Sequence, residues 1–204
     1  MFEVAGVAVS HLSYTFSFNG LALPAGEEWR SALIDPERIV TDAADARAQG
    51  AEVVIVSLHW GNERQHGITD WQRAVADQIT ASGTIDLVVG HHAHVVQPIE
   101  VVNGTWVVFG LGNILSNLPT SSNWPAASQD AMVATVPITV GRDGAVEVGR
   151  PIVHPTWVDK DANWTVRDVL AELGRGDLSP ELRAQLQRSL ERTAAVVGEF
   201  VATP

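Results

Sequence analysis

The sequence predicts an α/β domain with antiparallel additions, and three observations carry that prediction. Two short, continuous apolar runs, residues 53–58 and 85–89, have the length and composition of strands buried on both faces of a sheet. An amphipathic helical segment with its own cap and stop joins them, which is the pattern of a strand–helix–strand unit with parallel strands. Beyond residue 95 the apolar segments shorten and are separated by Asn103-Gly104 and Asp143-Gly144, the dipeptides of tight hairpins.

Taken in order, residues 6–14 alternate and read as a strand, and residues 19–26 read as a loop. A helix should start at Asp35 as cap and Pro36 as first residue, bury Ile39, Ala43 and Ala46, and stop at Gly50. The strand at 53–58 follows. Thr69 and Gln72 have the spacing of a capping box, opening a helix with Trp71, Val75 and Ile79 on one stripe and Gly83 at its end. After the strand at 85–89, strands are expected at 95–102, 106–109, 131–140 and 145–153, with a Ser-, Asn- and Pro-rich loop at 118–129. Helices are expected at about 164–173 and from Ser179-Pro180 onward, the latter with Leu182, Leu186 and Leu190 in line. No repeat or linker interrupts the chain. We therefore expect one domain over 1–155 and a helical extension over 156–204 packed on it.

Composition excludes several classes. The 204 residues carry 13 Lys and Arg against 24 Asp and Glu, a net charge of −11, which argues against a surface that gathers nucleic acid. The absence of Cys removes disulfides, thiolate metal sites and thiol catalysis. With 46% hydrophobic residues the chain can fill a core, yet no run approaches the roughly 18 apolar residues of a membrane span. The first residues show no secretory leader pattern and start almost at once in a strand, so the chain is expected to be part of a longer protein.

Five of the seven His fall between positions 59 and 94. His59 follows the first buried strand directly, and His91, His92 and His94 follow the second. If the strands are parallel neighbours, both groups emerge at the carboxyl edge of the sheet, where α/β folds place ligands. Strands lie about 4.8 Å apart, so the imidazoles can converge on one ion. His92 and His94, two apart in an extended segment, would face one side, with His91 facing the other. Imidazole donors without Cys suit Mn, Zn or Fe, and such an ion can activate water and polarise a phosphoryl or carbonyl oxygen. His11, His66 and His154 read as structural. Trp60, beside His59, is the best candidate among the seven Trp for stacking on a sugar, and Trp124-Pro125 in the long loop is a candidate cover for the cleft.

The segments VVIVSLHWGNE, TDWQRAVADQI, DLVVGHHAHVVQPIE and VVFGLGNIL, with the opening GVAVSHLSYTFSFNG, resemble the capsule synthesis protein CapA family. The resemblance is dense over residues 1–117 and implies a calcineurin-like metallophosphoesterase sandwich, with mixed sheets flanked by helices. It implies that His59, His92 and His94 are metal ligands and that His92, His94 and Glu63 serve catalysis. It also implies that Glu63 and Asn113, of the His-Trp-Gly-x-Glu and Leu-Gly-Asn elements, stand behind the ligands or meet substrate. The N-terminal Asp, the Gly-Asp element and the Asn-His element of such sites have no counterpart. The single Gly-Asp pair, Gly176-Asp177, lies late in the chain. The fold expected is therefore a partial sandwich, from a fragment of a longer protein or, alternatively, a reduced form that has lost the two-metal chemistry. Weak or partial binding of a divalent metal and little phosphoesterase activity are expected from this chain alone.

The function implied is a metal-dependent hydrolase-like domain in the synthesis or export of a capsule or poly-γ-glutamate polymer. Its partners would be an anionic polymer or phosphoester and an envelope polymer-synthesis complex, in an extracytoplasmic or membrane-associated setting. A non-catalytic polymer-binding scaffold is the competing expectation, and a single-metal amidase or deacetylase the third. Arg175-Gly176-Asp177 reads as a chance match to an adhesion motif.

Overall fold

The computed structural model describes residues 1–120 and 123–203. Its main sheet has six strands: β1 (Phe2–Val4), β2 (Val7–Thr15), β3 (Val53–His59), β4 (Leu87–His91), β5 (Ile99–Val102) and β6 (Thr105–Val108). Their spatial order is β1-β2-β3-β4-β6-β5. The four central strands run parallel, and the two edge strands pair antiparallel. The apolar runs of β3 and β4 are thus buried on both faces, and the register pairs His59 with His91. A two-residue turn joins β1 to β2, with Ala5 at φ 51° and Gly6 at φ 82°. The β5–β6 turn at Asn103 (φ 50°) and Gly104 (φ 84°) is of the same kind, as its sequence predicts.

Two helices cover one face, α1 (Pro36–Ala48) and α2 (Asp70–Thr80). Asp35 caps the first by accepting from the backbone N–H of Glu37 and Arg38, and Thr69 with Gln72 closes the capping box of the second. Ile39, Ala43, Val75, Ala76 and Ile79 pack with Val54, Val56, Leu58, Val88 and Phe109 into the principal core. Trp71, in the first turn of α2, stands 45% exposed, outside the packed part of its stripe.

The opposite face meets a three-stranded antiparallel sheet, ordered β11-β10-β7, and a separate hairpin. These strands are β7 (Asp130–Thr135), β8 (Ile138–Val140), β9 (Val146–Val148), β10 (Ile152–Asp159) and β11 (Thr165–Asp168). A cleft of about 560 Å³ remains between the sheets, lined by Leu87, Val89, Val108, Met132 and Ile138.

Several boundaries depart from expectation. The strand expected from 95 begins only at Ile99, because the chain after β4 bends through His92 and His94 before it extends. The strand at 131–140 breaks at Val136-Pro137 into β7 and β8. The helix expected over 164–173 shortens to α3 (Val169–Leu173), with β11 taking its first half. Thr165 and Val166 are β-branched and pair with Asp159 and Val158 of β10, and Asp168 then caps α3. The boundary expected at residue 155 falls inside β10.

The last helix, α4 (Pro180–Val197), is fixed by a buried ion pair. Asp130, 2% exposed, accepts from Arg192 Nε at 2.6 Å, from Arg192 Nη2 at 2.8 Å and from Ser189 Oγ at 2.7 Å. With these three charge-assisted bonds both carboxylate oxygens are paired in the interior. No helix of the described residues is long and apolar enough to cross a membrane.

Candidate metal centre

The cluster stands on a floor of apolar residues at the carboxyl edge of β3 and β4. Trp60 is fully buried, its ring stacked on Phe109 at 5.5 Å and its Nε1–H donated to the Phe109 carbonyl at 2.9 Å. It therefore has no open face for a sugar, and the expectation that it contacts substrate is corrected: one residue past the strand, its side chain turns into the core. Gly90 lies against this pair. A Cβ there would stand 1.9 Å from the Phe109 carbonyl oxygen and 2.4 Å from Trp60 Nε1, so only glycine lets the chain pass into His91-His92.

His92 (φ 95°) and His94 (φ 57°) both take left-handed backbone conformations. Their convergence thus comes from a bend and not from the alternation of an extended segment, and each such residue stores about 1–3 kcal/mol of strain that the surroundings must hold. The bend brings their rings to 5.9 Å. Glu63, in the loop after β3, completes the group: one donor atom from each of Glu63, His92 and His94 lies within 4.8 Å of the other two. His94 Nε2 is 3.9 Å from Glu63 Oε1. Among the described residues this is the one group of three such donors found.

His59 stands beside the group without joining it. Its ring is 4.5 Å from that of His92, and its Nδ1 meets Thr15 Oγ1 at 3.0 Å. Phe16 covers both rings, at 5.8 Å from His59 and 4.6 Å from His92. His91 points to the cleft between the sheets. His11 meets Ser57 Oγ at 2.7 Å and His66 meets the Val96 carbonyl at 2.6 Å, which gives both the structural roles expected of them. Burial, then the neighbouring His94, holds His59 below the ordinary imidazole range. For His92, burial and then His59 act downward, with Glu63 pulling the other way. Both rings are therefore neutral near pH 7 and keep a lone pair for an ion.

Asn113 sets the orientation of His94. Its Nδ2 donates to the carbonyls of His94 at 3.1 Å and Ser128 at 3.0 Å, so Oδ1 must be the atom facing His94 Nδ1 at 2.9 Å. An acceptor there requires the proton on Nδ1 and leaves the Nε2 lone pair directed at Glu63 and His92, the arrangement usual for a metal-bound imidazole. The amide thus stands behind His94, the first of the two positions expected of Asn113. Gly112 enables this: its φ is 76°, and a Cβ would stand 2.5 Å from the Asp130 carbonyl oxygen. Asn113→Ala is expected to weaken divalent-metal binding about 10- to 100-fold, read by titration against a competing chelator. Asn113→Asp, which keeps an acceptor toward Nδ1, should lose less.

The donor set fits a divalent ion: one carboxylate and two imidazoles, one with its second nitrogen hydrogen-bonded, all close enough to meet on an ion after small side-chain movements. One support carries no simple sequence signal, and a second comes from the long loop. The buried amide of Gln72 donates to Gln97 Oε1 at 2.9 Å, and Gln97 donates to the carbonyls of Gln65 and Gly67, which anchors the loop bearing Glu63. Trp124, from the long loop, sets its ring edge-on to His94 at 5.4 Å.

A family model described as bacterial capsule synthesis protein PGA_cap matches residues 1–118. Over 132 residues, 64% of the chain, the sequence is 33% identical to the PGA biosynthesis protein CapA of Bacillus subtilis strain 168, of which the match covers 33%. Over 134 residues, also 64% of the chain, it is 29% identical to the capsule biosynthesis protein CapA of Bacillus anthracis, of which the match covers 31%. The chain thus spans about a third of the length of these relatives. The structure of the Haemophilus influenzae NAD nucleotidase NadN aligns with 98% of this chain and 37% of its own, at a TM-score of 0.41 and 12% identity. With a family model matched over more than half of its residues, the chain belongs to the bacterial capsule synthesis protein family PGA_cap.

Proposed function

We propose that this chain is a metal-dependent hydrolase-like domain acting in capsule or poly-γ-glutamate polymer synthesis or export. Glu63, His92 and His94 hold a divalent Mn, Zn or Fe ion, and His59 lends a neighbouring imidazole. The observation that carries this reading is the convergence of those three donors in front of an Asn113 that fixes the His94 tautomer. The names of the two Bacillus relatives support the setting. When bound, the ion supplies Lewis-acid polarisation of a phosphoryl or carbonyl oxygen and a water of lowered pKa.

The protein's own groups do the rest. Phe16 keeps water from one side of His92 and His59. Glu63, with a side chain 41% exposed, is open to the solvent side, from which substrate would arrive. Three donors and no bridging carboxylate suit a single ion, so turnover by this chain alone should be weak. A polymer-binding scaffold that uses the same cluster without turnover is the second reading, favoured by that same short donor set.

Hydrolysis of phosphodiester and amide model substrates, with and without added Mn or Zn, tests the proposal. Slow phosphodiester cleavage that requires metal and disappears in His94→Ala is expected. Cleavage that is unaffected by metal removal or by His94→Ala would overturn it. Metal-dependent amide cleavage would move the assignment to an amidase.

A further inference from the structure

Arg64 enters the site by an unusual route. It follows Glu63 directly, its backbone has a φ of 67°, and its N–H donates to the carbonyl of Ala93 at 2.7 Å. Ala93 lies between His92 and His94, so the Arg64 backbone is pinned to the segment that carries both imidazoles. Its guanidinium then spans to the long loop, where Nη1 donates to the carbonyl of Asn123 at 2.8 Å and the guanidinium carbon lies 5.4 Å from the centroid of the Trp124 ring. The same Trp124 ring meets His94 edge-on. Cation, indole and imidazole form one continuous wall, assembled from segments about sixty residues apart in the chain.

We propose that Arg64, stacked on Trp124, is the recognition lip of this site and takes a carboxylate of a polyanionic chain laid across the cluster. This rests on the metal-site reading above. Three features argue for it. First, no carboxylate among the described residues lies within ion-pair distance of Arg64, and the neighbouring Glu63 is directed to His94. In a chain of net charge −11, an exposed guanidinium held beside a donor cluster without an internal acid is a device for an external anion. Second, the stacking leaves the guanidinium edge open. One of its five N–H groups is used by Asn123, and the rest can meet a carboxylate through two parallel bonds. Third, the walls on either side are apolar rings, Trp124 against His94 and Phe16 against His92. Such walls suit the methylene spacers between successive carboxylates of a chain, whereas an isolated phosphate has nothing to place there.

The test uses the metal-loaded chain and a short γ-linked glutamate oligomer, with its methyl ester and inorganic phosphate as parallel probes, read by titration calorimetry. Arg64→Ala should weaken oligomer binding by about tenfold or more, with metal content unchanged. The wild type should bind the ester no better than Arg64→Ala binds the acid. Arg64→Lys, which keeps charge but loses the planar fork and the stack, should recover only part of the loss. Undiminished oligomer binding by Arg64→Ala, or equal binding of ester and acid by the wild type, would overturn the proposal. Phosphate that binds with the same dependence on Arg64 and displaces the oligomer would overturn the carboxylate assignment. Metal content is measured in every sample. A chain that binds no metal yet shows the Arg64 effect on the oligomer refutes the metal reading and leaves the lip standing.

Discussion

Gly90→Ala is expected to lower the stability of the fold by about 3 kcal/mol, the upper end for overpacking a core, and to disable the site with it. The added methyl would lie 1.9 Å from the Phe109 carbonyl oxygen and 2.4 Å from Trp60 Nε1. Neither obstacle is a flexible side-chain end. Phe109 O is backbone, hydrogen-bonded to Trp60, and the Trp60 ring is fully enclosed. Relief requires β4 to move away from its neighbours or the indole to leave its acceptor, which strands a buried N–H. Either movement displaces His92, two residues on. Urea unfolding gives the stability change, and metal titration of the folded fraction gives the effect on the site. Gly67→Ala is the control, because a Cβ there meets nothing within 4 Å and its backbone is not left-handed. It should change stability by less than about 0.5 kcal/mol. Equal effects at the two positions would refute this packing account.

The parts of the molecule that local chemistry dictates are legible in the sequence. The apolar runs of β3 and β4 declare strands buried on both faces, and the structure pairs them in parallel with His59 opposite His91. The Asp35-Pro36 start and the Thr69–Gln72 box appear as read. The carboxyl-edge position of the histidines follows from the strand ends, since parallel strands deliver their next residues to one place.

What escaped depends on backbone conformations and on partners far along the chain. His92 and His94 meet because both adopt positive φ, which no residue spacing announces. Glu63 joins them through a loop braced by Gln72 and Gln97, two amides 25 residues apart. Trp60 sits next to His59 in sequence yet turns into the core, because successive residues leaving a strand face opposite ways. Thr165 to Asp168 prefer a strand only because β10 is there to pair with them, which a helical pattern cannot reveal. The Arg64–Trp124 stack joins two segments that no local rule connects.

The central claim is that Glu63, His92 and His94 form a divalent-metal site, and removal of one imidazole carries the largest functional effect expected. His92 supplies one of only three donors, and its ring packs between Phe16, His59 and His94, so truncation to Ala removes a ligand and unfixes its neighbours together. A three-donor site that loses one keeps too few bonds to offset the dehydration of the ion. The direct measurement is metal binding by metal-stripped protein, titrated with Mn or Zn and quantified by elemental analysis of the dialysed complex. The wild type should approach about one ion per chain, in saturable if weak binding, while His92→Ala and Glu63→Gln retain none at the same free-metal concentration. Equal, substoichiometric metal in the wild type and His92→Ala would contradict the account.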